Sequence, residues 1–191
     1  MSSGRSDPAQ LIDALLTLAR GQAGLDSHEP FDVADLVRKT LAGRPDAQRQ
    51  NLTVHAALSP APAAGSPRLA EHLAANLIDN ALHHNLPGGH IEISTQTRDS
   101  RAVLTVANTG PMVPAAAIDQ LFQPFQRLTP DRTRRGDGLG LGLSIVQAIA
   151  SAHHATVTAH PRPTGGLHIE VTFPSAERTV TRPRLGQASN M

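Results

Sequence analysis

Three glycines alternate with leucines immediately before an apolar segment of helical periodicity. Gly138, Gly140 and Gly142 precede apolar side chains over residues 143–149, whose spacing fits one buried face of a helix. Glycine lets a ligand approach the main chain closely, and the first amides of a helix carry partial positive charge. The segment is therefore suited to bind a phosphate. On its own it is equally compatible with a flexible loop before a core helix. The lack of a following Gly-Lys-Ser/Thr argues against a P-loop fold.

Two asparagines lie one helical turn apart further upstream, in the sequence Asn-Leu-Ile-Asp-Asn-Ala-Leu-His-His over residues 76–84. The side chains of Asn76 and Asn80 share a helix face, which His83 or His84 continues. Magnesium prefers oxygen ligands and needs only one or two from the protein when a substrate supplies phosphates. Alone, the pair is better explained as polar residues on a solvated face. Together with the glycine segment, it predicts a site for a magnesium-bound triphosphate.

Four segments, in this order, resemble the sequence boxes of the sensor histidine kinase catalytic domain, a Bergerat-fold ATPase. They are the N box at 76–81, the G1 box at 106–114, the F box at 121–127 and the G2 box at 138–146. The resemblance covers roughly Phe31 to Pro174 and implies ATP and Mg²⁺ as cofactors. The Ala-, Arg- and Pro-rich composition, with Lys39 as the only lysine, resembles that of actinobacterial proteins.

The resemblance implies a role for each polar residue of the N box. Asn80 would be the principal magnesium ligand, with Asn76 beside the metal and the phosphates. His83 stands where the family often has a lysine or arginine that contacts phosphate. It can replace that cation only when protonated. His84 stands where an aromatic residue or a histidine is usual.

The G1 box departs from the family pattern at two positions. Asn108 replaces an aspartate that accepts a hydrogen bond from the adenine amino group. A carboxamide still offers an acceptor, but it is uncharged and its other end is a donor. Gly110 matches the first glycine of the box, whereas Met112 stands where a second glycine is usual. We therefore expect adenine to bind, with a lower affinity than in the typical family site.

The stretch between the F and G2 boxes resembles a mobile lid over the nucleotide. Phe122 and Phe125 would anchor its base, and Arg127 would point at the γ-phosphate. The other lid arginines are either phosphate contacts or solvated loop charges. The glycine segment would cradle the nucleotide through Gly138, Leu139, Gly140, Leu141, Gly142 and Leu143.

The identity of residue 76 predicts the reaction. Related ATPases that hydrolyse ATP have a glutamate where this chain has Asn76, and an amide cannot act as a general base. The site should therefore keep the γ-phosphoryl group for an acceptor, with Asn76 and Arg127 as the candidate catalytic residues. In sensor kinases the acceptor is a histidine on a helical dimerisation domain, but no histidine here has the H-box surroundings. His28-Glu29-Pro30 is the nearest match and is interpreted as a connector.

The chain divides into three predicted parts. Residues 1–28 contain an amphipathic stripe over 7–25 that resembles the second helix of a dimerisation domain without the first, and dimerisation through it is possible. Residues 29–175 would form the ATP-binding domain, and 176–191 a disordered tail. These features predict a truncated kinase core or a natural short form. Its expected partners are a phosphoacceptor domain and a response regulator.

Composition excludes several other classes of protein. The net charge is +1 over 191 residues, and no basic patch is interleaved with aromatics, so nucleic-acid binding is not expected. No apolar run is long enough to span a bilayer, and no signal peptide is visible. Since sensor kinases are usually anchored in the membrane through upstream segments, the resemblance implies a cytoplasmic location, compatible with the cytoplasmic part of such a kinase. Cysteine is lacking, so no disulfide forms. The adjacent histidine pairs point about 100° apart on a helix and cannot readily chelate one metal ion.

The elements that must position these residues predict an α+β fold, a two-layer α/β sandwich. A mixed, mostly antiparallel sheet of about five strands would pack on three helices. Helices are predicted at 32–42, 67–84, 114–122 and 140–153, and strands at 52–58, 90–97, 102–107, 156–160 and 167–173. Residues 57–66 are predicted as a loop. His154 and Ala155 replace a family Gly-Gly after the last helix, and the sequence offers no evident compensation for the missing left-handed glycine.

Two alternative functions remain open. A stand-alone serine kinase of the anti-sigma type shares the fold, although the amphipathic stripe at 7–25 argues against it. A non-catalytic nucleotide sensor is compatible with Asn108, Met112 and His83.

Overall fold

The computed structural model describes residues 29–43, 51–126 and 140–174. The predicted amphipathic segment 7–25, the tail 176–191 and most of the predicted lid lie outside these residues. So do three of the predicted site residues, which are Arg127, Gly138 and Leu139. Within the described ranges, no helix is long and apolar enough to cross a membrane.

The described elements follow the predicted order. The strands are β1 Glu29–Asp32, β2 Thr53–Leu58, β3 Pro62–Gly65, β4 His90–Arg98, β5 Arg101–Asn108, β6 Thr156–Pro161 and β7 Leu167–Thr172. The helices are α1 Val33–Ala42, α2 Pro67–His83, α3 Ile118–Leu121, which a 3₁₀ turn at Ala115–Ala117 precedes, and α4 Gly142–Ala152. All four predicted helices and all five predicted strands are confirmed, with ends that differ by a few residues at most.

Five strands form one mixed sheet in the order β2-β4-β5-β7-β6. Only β2 pairs in parallel, with β4, and the other described pairs of this sheet are antiparallel. The register places Ile93 beside Val106 and Val106 beside Ile169, so one face of the sheet is apolar. That face joins a core with Leu73 and Ile149 of the helical layer. The predicted two-layer sandwich is confirmed.

A second, two-stranded sheet contradicts the predicted loop at 57–66. β1 and β3 pair antiparallel, with Asp32 opposite Pro62 and Glu29 opposite Gly65. Proline lacks an N–H group but is tolerated as the first residue of an edge strand, which is the position of Pro62. The Asp32 carboxylate accepts hydrogen bonds from the N–H groups of Ala34 (2.8 Å) and Ala61 (3.0 Å). It therefore caps α1 and holds the start of β3 at the same time.

The end of α4 shows how the chain compensates for the missing glycine. His154 itself adopts the left-handed conformation, with φ of 54°. Its N–H donates to the Ser151 carbonyl at 3.0 Å, and the Ala155 N–H donates to the Ala150 carbonyl at 2.8 Å. These are the two hydrogen bonds of a Schellman motif. A histidine therefore closes the helix at the position where glycine is usual, at some conformational cost.

The preceding histidine is part of the core. His153 is only 2% exposed, and its ring meets Phe31 and Phe173 edge-on, at centroid distances of 6.2 and 5.7 Å. Its Nδ1 lies 2.8 Å from the Ile149 carbonyl oxygen, and its Nε2 lies 3.2 Å from the amide nitrogen of Ser66. Ser66 is the N-cap of α2. His153 therefore joins the end of α4 to the beginning of α2.

Candidate nucleotide-binding site

The middle of α2 faces the beginning of α4. The Asn76 Nδ2 group donates to the His72 carbonyl at 2.8 Å, one turn earlier in the same helix. This hydrogen bond orients the carboxamide, and Oδ1 is the atom on the side of α4. A Cβ at position 142 would lie 3.5 Å from that Oδ1, which is an ordinary contact. The first residue of the glycine-led helix is therefore next to the first asparagine of the N box.

The first turn of α4 presents backbone donors. The first intrahelical hydrogen bond of α4 runs from the Ile145 N–H to the Leu141 carbonyl at 2.9 Å. The amides of Gly142, Leu143 and Ser144 precede it. The Ser144 hydroxyl donates to the same Leu141 carbonyl at 2.8 Å, so it does not act as a cap acceptor for these amides. The helix dipole adds partial positive charge at this end.

The F box is attached to the glycine segment through the main chain. The Phe125 N–H donates to the Gly140 carbonyl at 3.0 Å. Both residues have positive φ, 64° for Phe125 and 70° for Gly140. The two phenylalanines of this box differ in burial: Phe122 packs against the core, whereas Phe125 is 62% exposed. Phe125 is thus an accessible aromatic surface beside the glycines.

The G1 box lies against the end of α2. Asn108 is the last residue of β5 and is 4% exposed, and its Nδ2 donates to the Thr109 carbonyl at 2.8 Å. The oxygen Oδ1 is therefore the atom that can accept from an adenine amino group. A Cβ at position 110 would lie 2.5 Å from the His84 carbonyl oxygen. Glycine is required at position 110 because this loop lies close to the C-cap of α2.

A hairpin turn that the sequence analysis did not assign to the site also contacts the G1 box. The Gly166 N–H, at the start of β7, donates to the Pro111 carbonyl at 2.9 Å. A Cβ at Gly165 would overlap the Gly110 carbonyl oxygen, and one at Gly166 would overlap that of Asn108. Both glycines have φ above 90°. Two adjacent glycines in one turn are a sequence signal for such close backbone contact.

The remaining predicted residues are exposed to different degrees. His83 is exposed, and its Nδ1 donates to the Asp79 carbonyl at 2.7 Å, because a carbonyl can only accept. Its Nε2 is thus the ring atom that can face a ligand, and it donates only when protonated. His84 is the C-cap of α2, Asn80 is half-buried one turn beyond Asn76, and Met112 is 69% exposed.

These contacts bring all four boxes together in space. Asn76 meets Gly142, the His84 carbonyl meets Gly110, and Phe125 is hydrogen-bonded to Gly140. The model of one protein family, described as histidine kinase-, DNA gyrase B- and HSP90-like ATPases, matches residues 65–177. This match covers more than half of the chain. The chain belongs to this ATPase family.

Individual relatives agree with the family match. The sensor protein CutS of Streptomyces coelicolor is 39% identical over 166 residues, which are 86% of this chain and 40% of CutS. Two solved structures resemble the fold. The histidine kinase AdeS of Acinetobacter baumannii has a TM-score of 0.69 at 25% identity, over 86% of this chain and 77% of that one. Full-length ShkA in complex with AMPPNP has a TM-score of 0.71 at 24% identity, over 86% and 35%.

The predicted resemblance to the histidine kinase catalytic domain is therefore confirmed, as is the predicted fold. The family's domain is an ATP-binding one. The chain spans about 40% of the length of CutS.

Proposed function

We propose that this chain is the ATP-binding catalytic domain of a sensor histidine kinase, which donates the γ-phosphoryl group of Mg-ATP to a histidine of a dimerisation domain. The observation that carries this proposal is the approach of the Asn76 amide oxygen to the open N-terminus of α4. An oxygen ligand and a row of backbone donors then face one another, which is the arrangement that a metal-bound polyphosphate requires.

The donor set fits magnesium. Asn76 and Asn80 offer neutral amide oxygens, which are hard ligands, and phosphates and water would complete the coordination. The cation neutralises charge on the phosphates when it is bound. Asn80 is the proposed principal ligand by resemblance to the N box of the family, with Asn76 beside the metal and the phosphates. The exposed His83 ring is the proposed phosphate contact at the end of α2, and His84 is a second candidate contact of the nucleotide.

The nucleotide would extend from the glycine segment to the G1 box. Phosphates would meet the amides of Gly140, Leu141, Gly142 and Leu143, together with Gly138 and Leu139 outside the described residues. Adenine would meet Asn108 and Gly110, with Met112 at the rim and Phe122 and Phe125 at the base of the lid. ShkA, whose structure contains the ATP analogue AMPPNP, has a similar fold.

Asn76 decides between transfer and hydrolysis. An amide cannot deprotonate water, so ATP would persist until an acceptor enters. Arg127 is the proposed cation for the γ-phosphate, because guanidinium binds phosphoryl oxygens in pairs and is always charged. The proposed partners are a phosphoacceptor domain and a response regulator, with residues 7–25 as a dimer contact. A cytoplasmic location follows from this role.

The first test is calorimetric titration with a non-hydrolysable ATP analogue, with magnesium and with EDTA. Magnesium-dependent binding is expected, and no binding under either condition would refute the proposal.

A transfer assay separates the alternative functions. The chain is incubated with γ-labelled ATP and a purified dimerisation domain of the CutS type. We expect label that is stable to base and lost in acid, as for phosphohistidine. In a parallel reaction with an antagonist protein of the anti-sigma type, acid-stable label on a serine of that protein would indicate the serine kinase. Tight binding without any transfer would indicate a nucleotide sensor.

A further inference from the structure

Asn85, directly after the C-cap of α2, makes four hydrogen bonds with its side chain. Its Oδ1 accepts from the Leu86 N–H at 2.9 Å and from the Thr109 hydroxyl at 2.6 Å. Its Nδ2 donates to the carbonyls of Ala81 at 3.3 Å and His90 at 3.2 Å. The carboxamide therefore connects the last turn of α2, the following turn, the start of β4 and the G1 box.

Thr109 completes this connection from the other side. Its hydroxyl has one hydrogen, and the 2.6 Å distance assigns that hydrogen to Asn85 Oδ1. The Thr109 Oγ1 also accepts from the His90 N–H at 2.8 Å. A Cβ at Gly89 would overlap both Asn85 Oδ1 and Thr109 Oγ1. The main chain at Gly89 therefore lies directly against this half-buried pair.

The position of this pair along the chain gives it a functional meaning. Asn85 follows His84 and is two residues from His83, at the end of the proposed magnesium helix. Thr109 lies between Asn108 and Gly110, in the proposed adenine loop. The hydrogen bond between their side chains is therefore a direct link between the two halves of the proposed nucleotide site.

We propose that Asn85 and Thr109 are positioning residues that fix the distance between the magnesium-phosphate half and the adenine half of the site. This inference rests on the proposed function. ATP touches both halves, so its affinity depends on their spacing being set before binding. Adenosine touches only the adenine half, and its affinity does not depend on that spacing. Loss of the link should therefore weaken ATP more than adenosine.

The test uses Thr109→Val in the full chain, because valine keeps the volume and removes the hydroxyl. Affinities for the magnesium complex of AMPPNP and for adenosine are measured by calorimetry. We expect the analogue to bind about tenfold more weakly and adenosine to change less than about twofold, since a lost partnered hydroxyl is equivalent to about one factor of ten. Thr109→Ser should restore the affinity. In an Asn85→Ala background, Thr109→Val should change the ratio of the two affinities little further.

Thr95→Val is the matched control. Thr95 is buried on β4, and its hydroxyl donates to the Ser59 carbonyl at 2.7 Å, in a different part of the fold. Both valine variants should lower the melting temperature, but only Thr109→Val should change the ratio of the two affinities. An unchanged ratio, or equal weakening of both ligands, would overturn the positioning role. If the unmodified chain binds no analogue, the proposed function fails first, and that result is visible before any variant is made.

Discussion

The two ends of α4 differ in how the backbone groups that have no partner within the helix are treated. At the C-terminal end, His154 and Ala155 donate to the last carbonyls of the helix, and the buried His153 packs between two phenylalanines. At the N-terminal end, Leu141 provides no side-chain cap, and the amides of the first turn are preceded by glycines. One end is closed by contacts within the protein, whereas the other is the end at which we propose that phosphates bind.

The same division occurs in α2, in the reverse direction. Ser66 caps its beginning and is held by His153, while its other half carries Asn76, Asn80 and His83. Since unsatisfied polar groups cost stability, a fold can leave them open only where other contacts secure the element. Stability and binding should therefore respond to substitutions at different ends of these helices.

The largest expected effect is on stability and comes from a substitution at the closed, C-terminal end of α4. His153→Ala removes a buried ring and the contacts that join α4 to α2. We expect the free energy of unfolding to fall by about 3 kcal/mol, as for other large buried side chains. Urea denaturation measures this change. The folded fraction should still bind the ATP analogue, and loss of binding by protein that is fully folded would contradict the separation of the two ends.

The next largest effect is on nucleotide binding and comes from a substitution in the C-terminal half of α2. Asn80→Ala should weaken binding of the magnesium-nucleotide complex about 100-fold, because it removes the proposed metal ligand. Affinity in EDTA and the melting temperature should change little. Calorimetry with and without magnesium measures the change in affinity. The control is Gln147→Ala, at an exposed position of α4. Unchanged magnesium dependence would refute the metal assignment.

A substitution at Gly142 should have opposite effects on stability and on nucleotide affinity, and both effects are smaller than the two above. Gly142→Ala is sterically allowed, since the new Cβ would lie 3.5 Å from Asn76 Oδ1. We expect the free energy of unfolding to be unchanged or higher by up to about 1 kcal/mol, because alanine favours helix. Nucleotide affinity should fall about tenfold, because the methyl group occupies the approach to the amides.

The control for this substitution is Gly43→Ala, at the C-cap of α1, where φ is −83° and space is available. It should alter neither affinity nor fold. If Gly142→Ala binds nucleotide as well as the unmodified chain, the phosphates do not approach this turn.

The smallest effect concerns the closed end again. His154→Gly places the usual residue at the left-handed position, and we expect stability to rise by about 0.5–1 kcal/mol. His154→Ala, which keeps the conformational cost, should not share this gain. Thermal unfolding of the two variants measures the difference. If His154→Gly is only as stable as the unmodified chain, the histidine side chain stabilises the fold by as much as its left-handed conformation costs.

Regular elements were predictable where the local pattern was strong. The alternation over 167–173 and the helical spacing over 67–84 both gave the elements that the structure contains. The strand pair β1–β3 was missed, because proline and alanine are poor strand formers and its partner lies about 30 residues away. That pairing depends on tertiary contacts such as the Asp32 hydrogen bonds, which leave no local pattern in the sequence.

The sequence predicts candidate site residues by their type, but it does not predict the contacts of their individual atoms. The order of the four boxes indicated the family, which the family match confirmed. The assigned roles of Asn80, Asn108 and the other site residues stay predictions. Gly165, Gly166, Asn85 and Thr109 are not among the predicted site residues. Their contacts join segments that are distant in sequence.

The sequence alone predicted most of the elements and the family that they compose, and it indicated which side chains have the chemistry to bind a metal or a phosphate. These properties depend on local periodicity and on side-chain chemistry. Tertiary structure decided the contacts of those side chains. The Nδ2 groups of Asn76 and Asn108 each donate to a main-chain carbonyl, and the Oδ1 of Asn76 is the atom near Gly142. It also decided that position 110 must be glycine, because the His84 carbonyl lies against it. Such constraints arise only when distant segments pack together.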